Sequence, residues 1–221
     1  MSDNHRELAF VILIGGKSRR FGTDKGLFEF RGKPLIEYQL QRLRKFNRKI
    51  FISTKSKMQL KNYREKIQKT DDLTFILDEK DVNINSKIKT PLIGIYSAFQ
   101  KLKELNIKSA FTLPCDSPLI HPDVVGLIID YSKSFDCVIP QWENGFLEPL
   151  FAIYPVESTY YNARENLLKG HYKLIKLLDS ALKIKYISIE KEIQELDEDL
   201  QTFLNVNKKS DLKELRGLFQ D

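Results

Sequence analysis

Apolar positions along the chain come in two rhythms. Leu8-Ala9-Phe10-Val11-Ile12-Leu13-Ile14 is a continuous apolar run, too short to cross a membrane and suited to a strand buried on both faces. Leu35, Ile36, Leu40, Leu43 and Phe46 then recur at helical spacing, with Pro34 suited to a helix's first position. Lys49 to Ser53 alternates as a second strand, Lys55 to Gln68 reads as a polar helix of weak period, and Leu73 to Leu77 is a third strand. Asp78 to Thr90 has no apolar period and is expected to be a loop. Pro91 to Leu102 reads as an apolar helix, Ser109 to Leu113 as a strand, Pro122 to Tyr131 as a helix and Asp136 to Pro140 as a strand. Strands alternating with helices of this length predict a parallel sheet covered on both faces. With right-handed crossovers, the fold class is α/β, a Rossmann-like three-layer sandwich with a mostly parallel sheet.

After Trp142 the rhythm changes. Asn144-Gly145 is a turn signal between extended flanks, so Ile139 to Tyr154 is expected to hold a hairpin. Helices are predicted over Glu157–Leu168 and Tyr172–Ala181, a strand over Lys183–Ile189, a solvated acidic surface over Glu190–Asp199, and a last helix from about Ser210 to Phe219. No internal repeat or composition break appears, so residues 1–221 are expected to form one domain.

Between the first strand and helix, Gly15-Gly16-Lys17-Ser18-Arg19-Arg20-Phe21-Gly22-Thr23-Asp24-Lys25 is rich in glycine and cations. Glycines let a backbone approach a ligand closely, and N–H groups with Lys17, Arg19, Arg20 and Lys25 around them suit a polyphosphate. The net charge is +6, and Lys17 to Lys33 holds six basic residues against two acidic ones. That local excess favours a phosphate-rich ligand over nucleic acid or a membrane surface, although Arg31 and Lys33 also suit a solvated cationic face. Gly16-Lys17-Ser18 is not the end of a P-loop, because Val11 stands where that motif needs a glycine, and the dinucleotide fingerprint fails on spacing. The two cysteines, Cys115 and Cys137, form no CxxC pair and no zinc cluster. Met1 to Glu7 is polar, and no apolar stretch approaches the roughly 20 residues that span a bilayer. The expected compartment is therefore the cytoplasm, with no membrane partner.

The stretch from Leu13 to Lys25 resembles the signature of the MobA-like nucleotidyltransferases, the molybdenum cofactor guanylyltransferases: Leu-Ala-Gly-Gly-x-Ser-x-Arg-Met-Gly-x-Asp-Lys. It departs at Ile14, where Ala is usual, and at Phe21, where Met is usual. Pro114-Cys115-Asp116-Ser117-Pro118 resembles the family's Cys-Asp-x-Pro motif. Glu148-Pro149-Leu150-Phe151-Ala152-Ile153-Tyr154 resembles its His-Pro-Leu-Phe-Ala-Leu-Tyr segment, with Glu148 replacing His. Asn205 and Asn207 match its Asn-x-Asn segment. The resemblance is weak over Met58–Gln68 and Lys183–Gln201.

The resemblance implies transfer of GMP from GTP to the phosphate of molybdopterin or its molybdenum form, with release of pyrophosphate. Magnesium is the implied cofactor, GTP and molybdopterin are the implied substrates, and transient contact with cofactor-assembly or molybdoenzyme partners is expected, without nucleic acid. Leu13, Ile14, Gly15, Gly16, Lys25, Asp78 and Asp116 would bind the nucleotide, and Asp116 would hold the metal. Lys25 and Arg20 would act on the phosphates, while Asn205 and Asn207 would bind the acceptor. Family members that use guanine carry Gly at the position of Gly16, which implies GTP rather than CTP. Where members often have Asn after the second strand, this chain has Ser53 or Thr54.

Each residue also has a plainer role. Asp116 could cap a turn before Pro118, Lys25 could pair with Asp24 at the surface, and Asn207 could cap the last helix. His5 and His171 look isolated. The rival functions are the same fold with another base or acceptor (CTP, a cobamide or a sugar phosphate), or a catalytically silent nucleotide-binding adaptor.

Overall fold

A computed structural model describes residues 7–14, 24–78 and 90–206, together with Asp211, Leu215 and Gly217. The first strand, β1 (Leu8–Leu13), is buried along its whole length. Successive side chains enter different cores: Phe10 and Ile12 join one, while Ala9, Val11 and Leu13 join the other. A strand apolar at every position can satisfy both only at the centre of a covered sheet. After a short 3₁₀ turn at Lys25–Leu27, β2 (Glu29–Phe30) and β3 (Lys33–Pro34) form a two-stranded ribbon. Its turn residues Arg31 and Gly32 both take positive φ, +48° and +77°, the pair of angles a two-residue hairpin of this twist requires. Pro34 therefore ends the ribbon and precedes helix α1 (Leu35–Leu43) rather than opening it.

β4 (Ile50–Thr54), α2 (Lys57–Lys66), β5 (Leu73–Leu77), α3 (Pro91–Glu104) and β6 (Ser109–Pro114) follow. They agree with the expected elements to within a few residues. Then come α4 (Pro122–Tyr131), β7 (Cys137–Gln141), β8 (Ala152–Pro155), α5 (Val156–Leu168) and β9 (Ile184–Ser188). One seven-stranded sheet has the order β5-β4-β1-β6-β8-β7-β9. β8 runs antiparallel to both neighbours, and the other pairings are parallel. Side chains of α1, α2 and α4 pack in one core, and those of α3 and α5 in the other. This is the expected three-layer α/β sandwich with a mostly parallel sheet.

The expected hairpin exists, with Gly145 at φ +85° in its turn, but β8 inserts between β6 and β7. The helix expected over Tyr172–Ala181 is not formed: only Leu174–Leu177 winds, as a 3₁₀ turn. Its apolar residues bury little beyond Leu177, and the Asp179 carboxylate accepts from the Ala181 N–H, a local bond that competes with helix. The acidic run is only partly a solvated face. Glu192 accepts from Tyr131 Oη at 2.6 Å and pairs with Lys185, and buried Asp197 accepts from the N–H groups of Gln201 and Thr202. Of the last expected helix, Asp211, Leu215 and Gly217 are helical and the rest lies outside the described residues. So does nearly all of the 78–90 loop. No helix among the described residues is long and apolar enough to cross a membrane.

Helix α1 is tied to the turn after β6 by side chains. Gln39, fully buried, donates from Nε2 to the carbonyls of Pro114 (2.9 Å) and Ser117 (3.2 Å). Arg42 donates to the Pro118 carbonyl at 3.0 Å. From the far end of the chain, Val206 N–H donates to Asp116 O at 2.9 Å. Replacing Gln39 by Leu strands two carbonyls, which costs about 1–3 kcal/mol; it also removes Oε1, a buried acceptor without a hydrogen-bond partner, so the lower end is expected. A melting temperature lowered by about 2–8 °C should result, and an unchanged one would show that the tie contributes nothing.

Candidate active site

The carboxyl ends of β1, β4, β5 and β6 lie in register. Leu13 pairs with Ser53 on one side and Pro114 on the other, and Thr54 pairs with Leu77. The ladder continues one step into the loops: Ile14 N–H donates to Ser53 O, Asp78 N–H to Thr54 O, and Cys115 N–H to Leu13 O. The chain goes from β1 to β4 on one side and returns with β6 on the other. Strand order thus reverses beside β1, the place where open α/β sheets form a crevice. A cavity of about 210 Å³ opens there, lined among others by Leu13, Ile14, Lys25, Ser53, Asp78 and Asp116.

Lys25 and Asp116 meet at its mouth. Lys25 Nζ lies 3.1 Å from Asp116 Oδ2, with both side chains about four-fifths buried. Lys25 thus pairs with Asp116, not with its neighbour Asp24. The Asp24 carboxylate instead accepts from α2, from Gln59 Nε2 and from Tyr63 Oη at 2.6 Å. Ser56 caps α2 by accepting from Gln59 N–H, and Gln59 Oε1 accepts in turn from Lys55 N–H, a variant of the capping box. Burial pushes the Tyr63 hydroxyl well above its usual pKa, so it stays a donor to Asp24. A Cβ on Gly26 would come within 2.4 Å of Tyr63 Oη, so only glycine fits beside this network.

At the cavity's other end, Ser53 Oγ donates to Asp78 Oδ1 at 2.7 Å. Burial raises the Asp78 pKa above the usual carboxylate value, and the Ser53 hydrogen bond and Lys55 charge partly oppose the rise. Gly94 leaves room here: a Cβ would stand 3.2 Å from Ser53 Oγ and 3.3 Å from Leu13 Cδ2. Thr54 does not reach the cavity, because its hydroxyl donates to Ile76 O.

A second cavity, of about 260 Å³, shares Pro114, Asp116 and Leu150 with the first and extends past Ser117, Glu148, Phe203 and Asn205. Ser117 Oγ donates to Asn205 Oδ1 at 2.9 Å. Asp116 thus stands where the two spaces meet.

Leu13, Ile14, Lys25, Asp78 and Asp116 therefore gather around one cavity, and Asn205 enters the adjoining one. Gly15, Gly16, Arg20 and Asn207 lie outside the described residues. His171 is exposed. Cys115 and Cys137 are both buried, and burial pushes the Cys137 thiol up to about 12. Sequence reading missed Gln39, Gln59 and Tyr63. Tyr63 alone left a trace, as the one aromatic residue of a mostly polar helix.

The donor set suits a magnesium ion. Among the described residues no three His, Cys, Asp or Glu side chains form a cage. Asp116, where the two cavities meet, fits an ion that takes one or two carboxylates and completes its shell with phosphate oxygens and water.

Comparison with known proteins agrees with this geometry. Residues 10–184 match the model of the MobA-like NTP transferase domain. A probable molybdenum cofactor guanylyltransferase of Pyrococcus horikoshii is 36% identical over 211 residues, covering 93% of this chain and 97% of that protein. One of the same name from Natranaerobius thermophilus is 30% identical over 221 residues, covering 98% and 97%. The crystal structure of molybdopterin-guanine dinucleotide biosynthesis protein A from Archaeoglobus fulgidus superposes with a TM-score of 0.73 at 25% identity, covering 95% of this chain and 97% of that one. With its signature ending in the Asp24-Lys25 pair, its Asp116 turn and its sheet order, the chain belongs to the MobA-like NTP transferase family.

Proposed function

We propose that this chain is a molybdenum cofactor guanylyltransferase, joining GMP from GTP to the terminal phosphate of molybdopterin and releasing pyrophosphate. The observation that carries this reading is the Lys25–Asp116 pair at the junction of two cavities. One cavity takes the nucleotide, the other takes the acceptor, and the reacting phosphates meet between them.

In this reaction an acceptor phosphate oxygen attacks the α-phosphorus of GTP. The bond from that phosphorus to the oxygen bridging to the β-phosphate breaks, and its electron pair leaves with pyrophosphate. Such chemistry depends mainly on alignment and charge stabilisation. Asp116 would hold magnesium, which when bound neutralises phosphate charge. Lys25 turns from Asp116 to the phosphate oxygens and stabilises negative charge developing on the leaving group. The bonds from Gln59 and Tyr63 to Asp24 fix the backbone beside Lys25 and so the direction of its ammonium. At the far end, Asp78 accepts hydrogen bonds from the guanine N1–H and 2-amino group, with Ser53 orienting its carboxylate. Cytosine offers one amino donor there and leaves a buried acceptor short of a partner. We assign the reaction to the cytoplasm, where the two buried thiols would stay reduced.

Incubation with molybdopterin, magnesium and each of the four nucleoside triphosphates, followed by mass analysis, should give the guanine dinucleotide as the main product. A higher kcat/KM for CTP than for GTP would overturn the base assignment. Asp116→Asn should fold normally and lose about 10²–10³ in turnover; magnesium-dependent turnover near wild type in the folded variant would remove Asp116 as the metal ligand. Lys25→Ala should weaken GTP binding and slow pyrophosphate release, more so as salt rises and screens the remaining cations. Affinity and rate unchanged across a salt series would reduce Lys25 to a structural partner of Asp116.

A further inference from the structure

The second cavity holds a carboxylate that guanylyl transfer leaves unused. Glu148 is half-buried in its wall, beside Leu150, Phe203 and Asn205. It is held firmly. Its N–H donates to Pro140 O at 3.0 Å, and its carbonyl accepts from Phe151 N–H at 2.9 Å. Its Oε1 accepts from the Trp142 indole N–H at 2.8 Å. The indole packs edge-on to Phe203 at 5.6 Å, and Phe203 packs edge-on to Phe151 at 5.5 Å. A charged group fixed by an indole against an aromatic wall differs from a solvated surface glutamate, whose side chain would lose entropy by being ordered.

The charge decides what such a group can meet. An ionised carboxylate only accepts hydrogen bonds, at about four lone-pair sites, so the Trp142 bond leaves it room for two more donors. It would repel the acceptor's phosphate, which belongs at the Asp116 end of the cavity. The other end of a pterin presents the complement, an N3–H beside a 2-amino group, two donors side by side on a flat ring. We infer that Glu148 is a specificity-determining residue that reads this amidine edge, with Phe203 and Leu150 flanking the ring. The inference rests on the pterin-acceptor reading above. It also gives a physical sense to the exchange of His for Glu at this position: imidazole offers at most one acceptor nitrogen, carboxylate offers two oxygens in the fork that two parallel N–H groups require.

The test compares two ring probes on the full chain saturated with GTP: 6-hydroxymethylpterin, and 6-hydroxymethyllumazine, in which a carbonyl replaces the 2-amino group. Binding is followed by ring fluorescence. The wild-type chain should prefer the pterin by about tenfold or more, the loss expected for one charge-assisted bond. Glu148→Gln keeps an oxygen for Trp142 but turns an NH₂ towards the pterin donors. It should abolish that preference while melting temperature and KM for GTP stay unchanged. Equal binding of both probes by the wild type, a comparison that needs no variant to fold, overturns the role of Glu148 and leaves the pterin acceptor standing. So does a Gln variant that keeps the preference. If the wild type binds neither probe yet transfers GMP to another phosphate, the acceptor reading falls, and this inference falls with it.

Discussion

The site depends on the burial of β1 between β4 and β6. Every residue of β1 is apolar and sealed, so the strand can sit only where both faces and both edges are covered. Once it is there, the chain must leave the sheet on one side and come back on the other. Its carboxyl end then faces a gap between the crossing chains. Leu13 and Ile14 supply that gap's floor, and the residues after β4, β5 and β6 reach its rim in register. The hydrophobic requirement of one strand thereby positions polar groups that have no other reason to meet, such as Lys25 and Asp116, which stand 91 positions apart.

Backbone register brings groups to within a few ångströms, and hydrogen bonds from buried side chains then hold them. Gln39 and Arg42 in α1 grip the carbonyls around Asp116, while Gln59 and Tyr63 in α2 grip Asp24. All four lie on elements whose apolar faces pack in the same core. The loops that carry Lys25 and Asp116 therefore share a foundation. The C-terminal segment adds a third tie, through Val206 to Asp116, and Val206 packs with Leu215, Phe30 and Leu35.

The repeating units were legible because their signals are local. β1, β5, α4 and α5 could be read from runs and spacings, and the Asn144-Gly145 turn from the single glycine able to take φ +85°. The failures have two causes: local side-chain bonds that leave no periodic trace, and partners far away in sequence. Leu174 and Leu177 have helical spacing, yet the segment winds only once. Asp197 reads as one more surface acid within an acidic run, but the backbone of Gln201 and Thr202 satisfies it in a buried turn. β8 shows no periodic sign that it will insert between two strands formed earlier. In the site, two separate motifs pointed to Lys25 and Asp116 one at a time. Their contact, and the dependence of Asp24 on Gln59 and Tyr63, follow from the packing of α1 and α2 and had no motif to announce them.

The arrangement of carboxylates has a chemical logic that joins the two halves of the molecule. Guanine and pterin both carry a 2-amino-4-oxopyrimidine, so both offer the same pair of adjacent N–H donors. The protein places an acceptor in each cavity, Asp78 in one and Glu148 in the other, and steadies each with a neutral donor: the Ser53 hydroxyl for Asp78, the Trp142 indole for Glu148. A cation at these positions would bind the phosphates and blur the orientation of both substrates. An anion would repel them towards the centre, where Lys25 lies beside Asp116. In the proposed complex, a carboxylate at each far end and the Lys25–Asp116 pair between them would orient each substrate by its ring as well as by its phosphate. In the proposed reaction that arrangement would supply the alignment on which nucleotidyl transfer between two anions depends.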